Sequence, residues 1–151
     1  MASYSFLNCQ AAIVGPGGAF NIGTGAGVAD EGLVITMVAD KDTMITGADG
    51  SVMHTLNAEK SGTLTLRLLK TSPTNAQLSL MYNLQTVSSA LHGLNTITVR
   101  DSARGDVTTC RQVAFRKQPA LSYTKAGAIN EWEFACGIVD QLLGYGSPSI
   151  L

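Results

Sequence analysis

The clearest signal along the chain is an alternation of period two. From Thr63 to Leu69, Leu64, Leu66 and Leu68 fall on one side and Thr63, Thr65 and Arg67 on the other, the pattern of a strand with one face in a core. The stretch Trp132–Val139 repeats it. Trp132, Phe134, Cys136 and Ile138 point one way, and Glu131, Glu133 and Ala135 the other. Leu33–Val38 is a short β-branched run, and Phe6–Val14, Ser51–Leu56, Thr96–Val99 and Val107–Arg116 also read as strands. Gly15-Pro16-Gly17-Gly18 closes the first of these with a strong turn signal. The glycine-rich stretch up to Gly32 reads as irregular, and Asp40–Gly50 as a loop or excursion closed by Asp49-Gly50.

One segment carries a helical period instead. Ser72 is placed to cap it and Pro73 to open it. Leu80, Leu84, Val87 and Leu91 then recur at i, i+4, i+7 and i+11, while Leu78, Met81 and Tyr82 widen the apolar surface and Gly93 supplies a stop. The spacing predicts a helix over Pro73–Leu91. Seven strands, one helix and no βαβ repeat predict a mainly β fold over 1–151. We expect an antiparallel β-sandwich or barrel of two packed sheets with one flanking α-helix, in a single domain.

Charge changes this picture more than overall composition does. Charged residues make up 14% of the chain, against about 25% in average soluble domains. Residues 1–29 and 71–99 contain no Asp, Glu, Lys or Arg at all. A helix with a broad apolar surface and no charges is hard to leave half in water, which points to surface covered by another subunit. Acids dominate residues 1–66, bases dominate 67–125, and acids return after 126. Opposite patches of this kind suit head-to-tail contacts between identical copies. The formal net charge of −1 excludes the basic balance of a dedicated nucleic-acid binder.

Candidate chemistry is sparse. Cys9, Cys110 and Cys136 match neither a disulfide framework nor a zinc pattern and read as buried thiols. Met1-Ala2-Ser3-Tyr4-Ser5-Phe6 lacks the basic start of a secretory signal, and no run reaches the ~20 apolar residues of a membrane span. Gly23-Thr24-Gly25-Ala26-Gly27 departs from the dinucleotide spacing and has no helix signal behind it. Arg104-Gly105-Asp106 reads as an ordinary turn between strands rather than an adhesion tripeptide. His54 and His92 have no ligand-like spacing, no nucleophile elbow exists, and Glu131 with Glu133 reads as a solvated face before an acid pair. No catalytic, cofactor or metal site is predicted.

Several phrases taken together carry a family resemblance. They are SYSFLNCQAAIVGPGG from Ser3, DKDTMITGADGSVMHTL from Asp40, KSGTLTLRLLKTSPTNAQLSLMY from Lys60, RGDVTTCRQVAFRK from Arg104 and EWEFACGIVDQLLG from Glu131. Through them the chain resembles, nearly end to end, the proteins that form the tail tube of contractile-tailed phages. That family is similar in architecture to the tubes of R-type pyocins and type VI secretion systems. The resemblance implies a structural protein, not an enzyme, with no cofactor. Six subunits would close into a ring whose inner strands join into one barrel, and rings would stack into a tube. The partners implied are further copies of the chain, a contractile sheath outside, a tape measure protein inside, DNA passing through the lumen, and baseplate and terminator proteins at the ends. The implied location is the virion tail, assembled in the bacterial host cytoplasm.

On that reading Thr63, Thr65, Arg67, Glu131 and Glu133 are candidates for the lumen, as polar faces of alternating strands. Which face looks inward is left open by the sequence. Leu78, Met81, Tyr82 and Leu84 are candidates for an inter-subunit helix surface. Asp40, Lys41, Asp42 and Asp49 are candidates for an inter-ring loop. The alternative is a β-sandwich binding module of a baseplate, or one that contacts a receptor.

Overall fold

The alternating segments pair as strands of one antiparallel sheet. The computed structural model describes residues 4–23 and 28–145, with backbone alone for 28–31. The glycine run from Thr24 to Gly27 therefore lies outside the described residues. Ser5 Oγ accepts from the Leu7 amide and starts a short 3-10 turn at Phe6–Asn8. The strands are β1 (Cys9–Gly15), β2 (Gly18–Asn21), β3 (Val28–Met37), β4 (Asp42–Thr46), β5 (Val52–Leu56), β6 (Gly62–Leu69), β7 (Asn95–Asp101), β8 (Asp106–Lys117) and β9 (Ile129–Leu142), with one helix, α1 (Thr74–Gln85). Seven strands lie in the order β2-β1-β7-β8-β9-β6-β3, and β4 and β5 form a separate hairpin. Every adjacent pair is antiparallel.

The mainly β, antiparallel class with one helix is as expected, and its strands form one seven-stranded sheet and a smaller two-stranded one. Three strand segments occur where irregular chain was expected. One is β2, in the glycine-rich stretch. Another is the start of β3, which carries Ala29-Asp30-Glu31-Gly32; Val28 and Leu33 on either side of these residues pair with β6, and the register shifts between them. The third is β4, inside the expected excursion.

The sheet changes inward-facing parity at one place. Cys110 is buried, and the next buried residue on β8 is Val113; on β9 the same break falls between Cys136 and Val139. The residues spanning it are Gln112, at φ 54°, and Gly137, between the pairs Arg111–Ile138 and Val113–Cys136. A Cβ on Gly137 would lie 3.0 Å from the Gln112 Cβ, so the close approach favours glycine. The break overturns one expectation: Val139, not Ile138, completes the inward row begun by Trp132.

The helix is shorter than Pro73–Leu91. Thr86 ends it, its Oγ1 and amide both donating to the Tyr82 carbonyl, and the serines beyond form turns. Ser72 Oγ accepts from the Thr74 amide, as a capping side chain should. The buried stripe is Thr74, Leu78, Met81 and Gln85. The stripe expected from the sequence lies largely outside, with Leu80 71%, Leu84 45% and Val87 80% exposed. Polar Gln85 is buried because it has a partner that periodicity cannot see. Gln85 Nε2 donates to Asn95 Oδ1 at 2.7 Å and to the Pro16 carbonyl at 2.8 Å, and Asn95 Nδ2 donates back to Gln85 Oε1 at 2.7 Å. This buried amide pair ties the helix end to β7 and to the β1–β2 turn.

Leu64, Leu66 and Leu68 of β6 join Trp132, Phe134 and Phe115 in the core beneath α1. Phe115 stands edge-on to Tyr82 at 5.6 Å and to Trp132 at 5.9 Å, geometries that favour aromatic pairs beyond area alone. Trp132 Nε1 donates to Asn75 Oδ1 at 3.1 Å, fixing the helix over the sheet. Cys110 and Cys136 are free and buried. The Cys136 thiol donates to the Cys110 sulfur, and that bond, with burial, pushes it well above the ordinary thiol range. Arg104 turns inward to Asp101 at 3.3 Å, both side chains nearly buried, so the Arg-Gly-Asp stretch is a turn as expected.

Candidate functional site: three exposed surfaces

The sheet face opposite the core gathers all five lumen candidates. Thr63 pairs with Ala135, Thr65 with Glu133 and Arg67 with Glu131. Val34 and Thr36 of β3 continue two of these rows on one side, and Ala114 and Lys117 of β8 continue two on the other. Hydroxyls, methyls and charges thus form one patch across four strands.

The acids in it are not free. Glu131 accepts from Arg67 Nε at 3.1 Å. Glu133 lies between Arg116 at 3.9 Å and Lys117 at 3.7 Å. Past the parity break, Asp140 lies between Arg111 at 2.6 Å and Lys60 at 3.6 Å. Bases outnumber acids in these clusters, and each carboxylate is charge-paired. Sequence reasoning missed Arg116, Lys117, Arg111, Lys60 and Asp140, because only the strand register brings them to the glutamates or to one another.

The second surface is the hairpin. The segment expected as an inter-ring loop is two paired strands, and every residue of β4 and β5 is exposed. Its charged candidates mostly hold the hairpin itself. Lys41 Nζ donates to the Asn57 and Glu59 carbonyls, and Asp42 meets His54 Nδ1 at 2.9 Å. The Asp49 carboxylate accepts from the Ser51 amide, which lowers its pKa from the ordinary carboxylate value. Asp40 accepts through its carbonyl from Asn57 Nδ2. The residues left without cover are apolar. Met44, Ile45, Val52 and Met53 are each more than half exposed and Leu56 is 83% exposed. An isolated two-stranded hairpin is marginal in water, and apolar residues on both of its faces call for a neighbour. A strand over Ser51–Leu56 was legible; its pairing with Asp42–Thr46 was not.

The third surface is the helix. Leu78 and Met81 are fully buried in the subunit's own core, so as inter-subunit candidates they are corrected: no side-chain surface remains for a partner. Tyr82 is half-buried against Phe115, and Leu84 is exposed beside Leu80 and Val87. The outer face of α1 is therefore uncharged, with Leu80 and Leu84 exposed among Ala76, Gln77 and Asn83.

The sheet also has two open edges, β2 and the ten-residue β3, a feature that soluble proteins normally protect. Among the described residues no cluster of His, Cys, Asp and Glu could hold a metal ion. Among the same residues no helix is long and apolar enough to cross a membrane.

Solved structures share this architecture. The chain superposes on a protein of the anti-feeding prophage baseplate, solved with six-fold symmetrisation, at a TM-score of 0.59 and 14% identity, covering 94% of this chain and 96% of that one. A chain of the anti-feeding prophage tube-terminating cap gives a TM-score of 0.55 at 10% identity, covering 95% of each. A chain of the PVC sheath–tube complex of an extracellular contractile injection system, in its extended state, gives 0.55 at 9% identity, covering 89% and 88%. No curated protein matches the chain in sequence. At these identities the likeness establishes the fold alone. The sequence itself matches the family model of the Bacteriophage PhiTE tail tube protein over residues 1–144, and the chain belongs to that family of phage tail structural proteins.

Proposed function

We propose that this tail tube subunit closes with identical copies into a hexameric ring, and that the rings stack into the hollow tube. The observation that carries this reading is the pair of open sheet edges. Joining β3 of one copy to the β1–β2 edge of the next supplies partners for unpaired backbone groups and leaves no edge exposed. The face bearing Thr63, Thr65, Arg67, Glu131 and Glu133 then lines the channel, and α1 lies outside. Each base of the charge clusters lies within 3.9 Å of a carboxylate that competes with phosphates for it, so DNA slides rather than binds. The tape measure protein occupies the same channel before ejection. The sheath surrounds the helix side, and baseplate and terminator proteins close the ends. Assembly takes place in the host cytoplasm, and the chain has no catalytic role.

The hairpin reaches the next ring. Asp40, Asp42, Asp49 and Glu59 lie on or beside it, whereas Lys70, Arg116 and Lys117 lie toward the opposite ends of β6 and β8. Head-to-tail stacking brings these unlike ends together. Negative-stain microscopy of the purified chain, with mass measurement across a concentration series, tests the reading. Rings or tubes and a mass step above monomer are expected. A strict monomer at high concentration would sink it, and monomers that bind a glycan would favour the receptor-contacting alternative.

A further inference from the structure

Methionine is placed unevenly in this chain. Of the methionines among the described residues, only Met81 lies in the core. Met37 ends β3, and Met44 and Met53 stand on the β4–β5 hairpin at 58% and 57% exposure. Side chains alternate along a strand, so the register sorts the hairpin into two faces. One holds the pairs Asp42–Leu56, Met44–His54 and Thr46–Val52; the other holds Thr43–Thr55 and Ile45–Met53. Each face therefore carries one methionine. Met44 occupies the middle row of the first, with Val52 and Leu56 diagonal to it, and Met53 forms the apolar pair of the second with Ile45. Every residue of both strands is exposed. A thioether is an apolar group that a peroxide turns polar, and exposure governs how readily it does so.

We propose that Met44 and Met53 are modification sites: a peroxide oxidises them in the free subunit, and the hairpin so modified no longer stacks, while ring closure at the sheet edges survives. The inference rests on the stacking role proposed above for the hairpin. The step needs no group of the protein besides the sulfur. Its lone pair takes one oxygen of hydrogen peroxide, the O–O bond breaks, and the departing hydroxide collects the proton of the transferred oxygen and leaves as water. The thioether gives up two electrons to become a sulfoxide, and the peroxide is reduced by the same two. A sulfoxide oxygen is a strong acceptor. In water it finds donors; buried in a ring contact without one it is costly, so oxidation favours the unstacked subunit. With one methionine on each face, whichever face meets the next ring carries a sulfoxide. The ring-closing edges carry neither residue, because β4 and β5 form a sheet of their own. In a tube the contact shields the methionine of the docked face, so assembly ends its exposure.

The test treats purified subunits with hydrogen peroxide at a dose that leaves Met81 reduced, as read by peptide mass spectrometry, and then follows assembly by sedimentation and negative-stain microscopy. One added oxygen on Met44 and one on Met53 are expected, with rings retained and tube yield down about tenfold or more, the worth of one buried acceptor left without a donor. The two methionine sulfoxide reductases, one for each sulfur epimer, should restore tubes. The double variant Met44→Leu with Met53→Leu keeps both faces apolar and should stack before and after peroxide, whereas Met37→Leu should stay sensitive. In preformed tubes at least one of the two sulfurs should resist the same dose. Normal stacking by oxidised subunits would overturn the proposal. So would peroxide sensitivity of the double variant, or equal oxidation of both sulfurs in tubes and in free subunits. Failure of untreated subunits to form tubes would instead count against the tube reading itself.

Discussion

At the scale of single residues, a buried amide pair ties the end of α1 to the sheet. Gln85 and Asn95 satisfy each other and the Pro16 carbonyl inside the core. Gln85→Leu strands the Asn95 amide and that carbonyl, and should cost about 2–3 kcal/mol in chemical denaturation. Adding Asn95→Leu should recover part of the loss, since removing both partners of a buried bond is cheaper than removing one. A second prediction concerns the polar face. Glu131→Lys with Glu133→Lys removes the partners of Arg67, Arg116 and Lys117 and leaves a block of like charge. The lost pairs are partly exposed, so each costs no more than about 1 kcal/mol and folding should survive. If this face lines the channel, DNA ejection by particles with the double variant should slow or stop, most strongly at low salt. Unchanged ejection at low salt would remove these residues from the lumen.

At the scale of elements, helix and hairpin play different parts. Met81 has no exposed surface and Leu84 is nearly half exposed. Met81→Glu should therefore abolish folding by burying an unpaired charge. Leu84→Glu should leave circular dichroism unchanged and shift stability by less than about 1 kcal/mol. Any effect on assembly would then assign the outer helix face to an interface. The hairpin β4–β5 should exchange its amide hydrogens quickly in the free subunit and slowly in tubes, because nothing but its own pairing covers it. Equal exchange in both states would refute a stacking role. Its turn should also loosen in acid. The bond from the Ser51 amide holds the Asp49 pKa below its unfolded value. The carboxylate's contribution is therefore full above the unfolded pKa and is lost as pH falls through the folded one.

The whole molecule is a sheet of unlike ends and open edges. Lys70, Arg116 and Lys117 lie toward one end and the hairpin acids extend from the other. If these ends stack, raising salt to about 1 M, where the screening length is near 3 Å, should release rings from tubes before rings fall apart. Edge pairing is backbone hydrogen bonding with apolar cover and is far less sensitive to salt. Sedimentation across a salt series reads the order of the two steps; simultaneous loss would mean that the charges do not govern stacking.

The strands β6 and β9 were legible because one face of each is buried and the other is not, and a period of two records that difference directly. So were the end of β1 at its glycine–proline turn, the start of α1 at Ser72, and the Arg104 turn. The family was legible too, from phrases spread over the whole chain. Tertiary structure alone decided which helix stripe faces the core, because Gln85 is buried through a partner ten residues away and its polarity hides the stripe from any count of apolar positions. It decided the parity break, since Gln112 and Gly137 face one another only once β8 and β9 are in register. It also brought Arg116 and Lys117 to Glu133, and Asp42–Thr46 to Val52–Leu56. Alternation reports which way one strand's side chains point; pairing across strands depends on register, which is set by contacts between residues far apart in the chain.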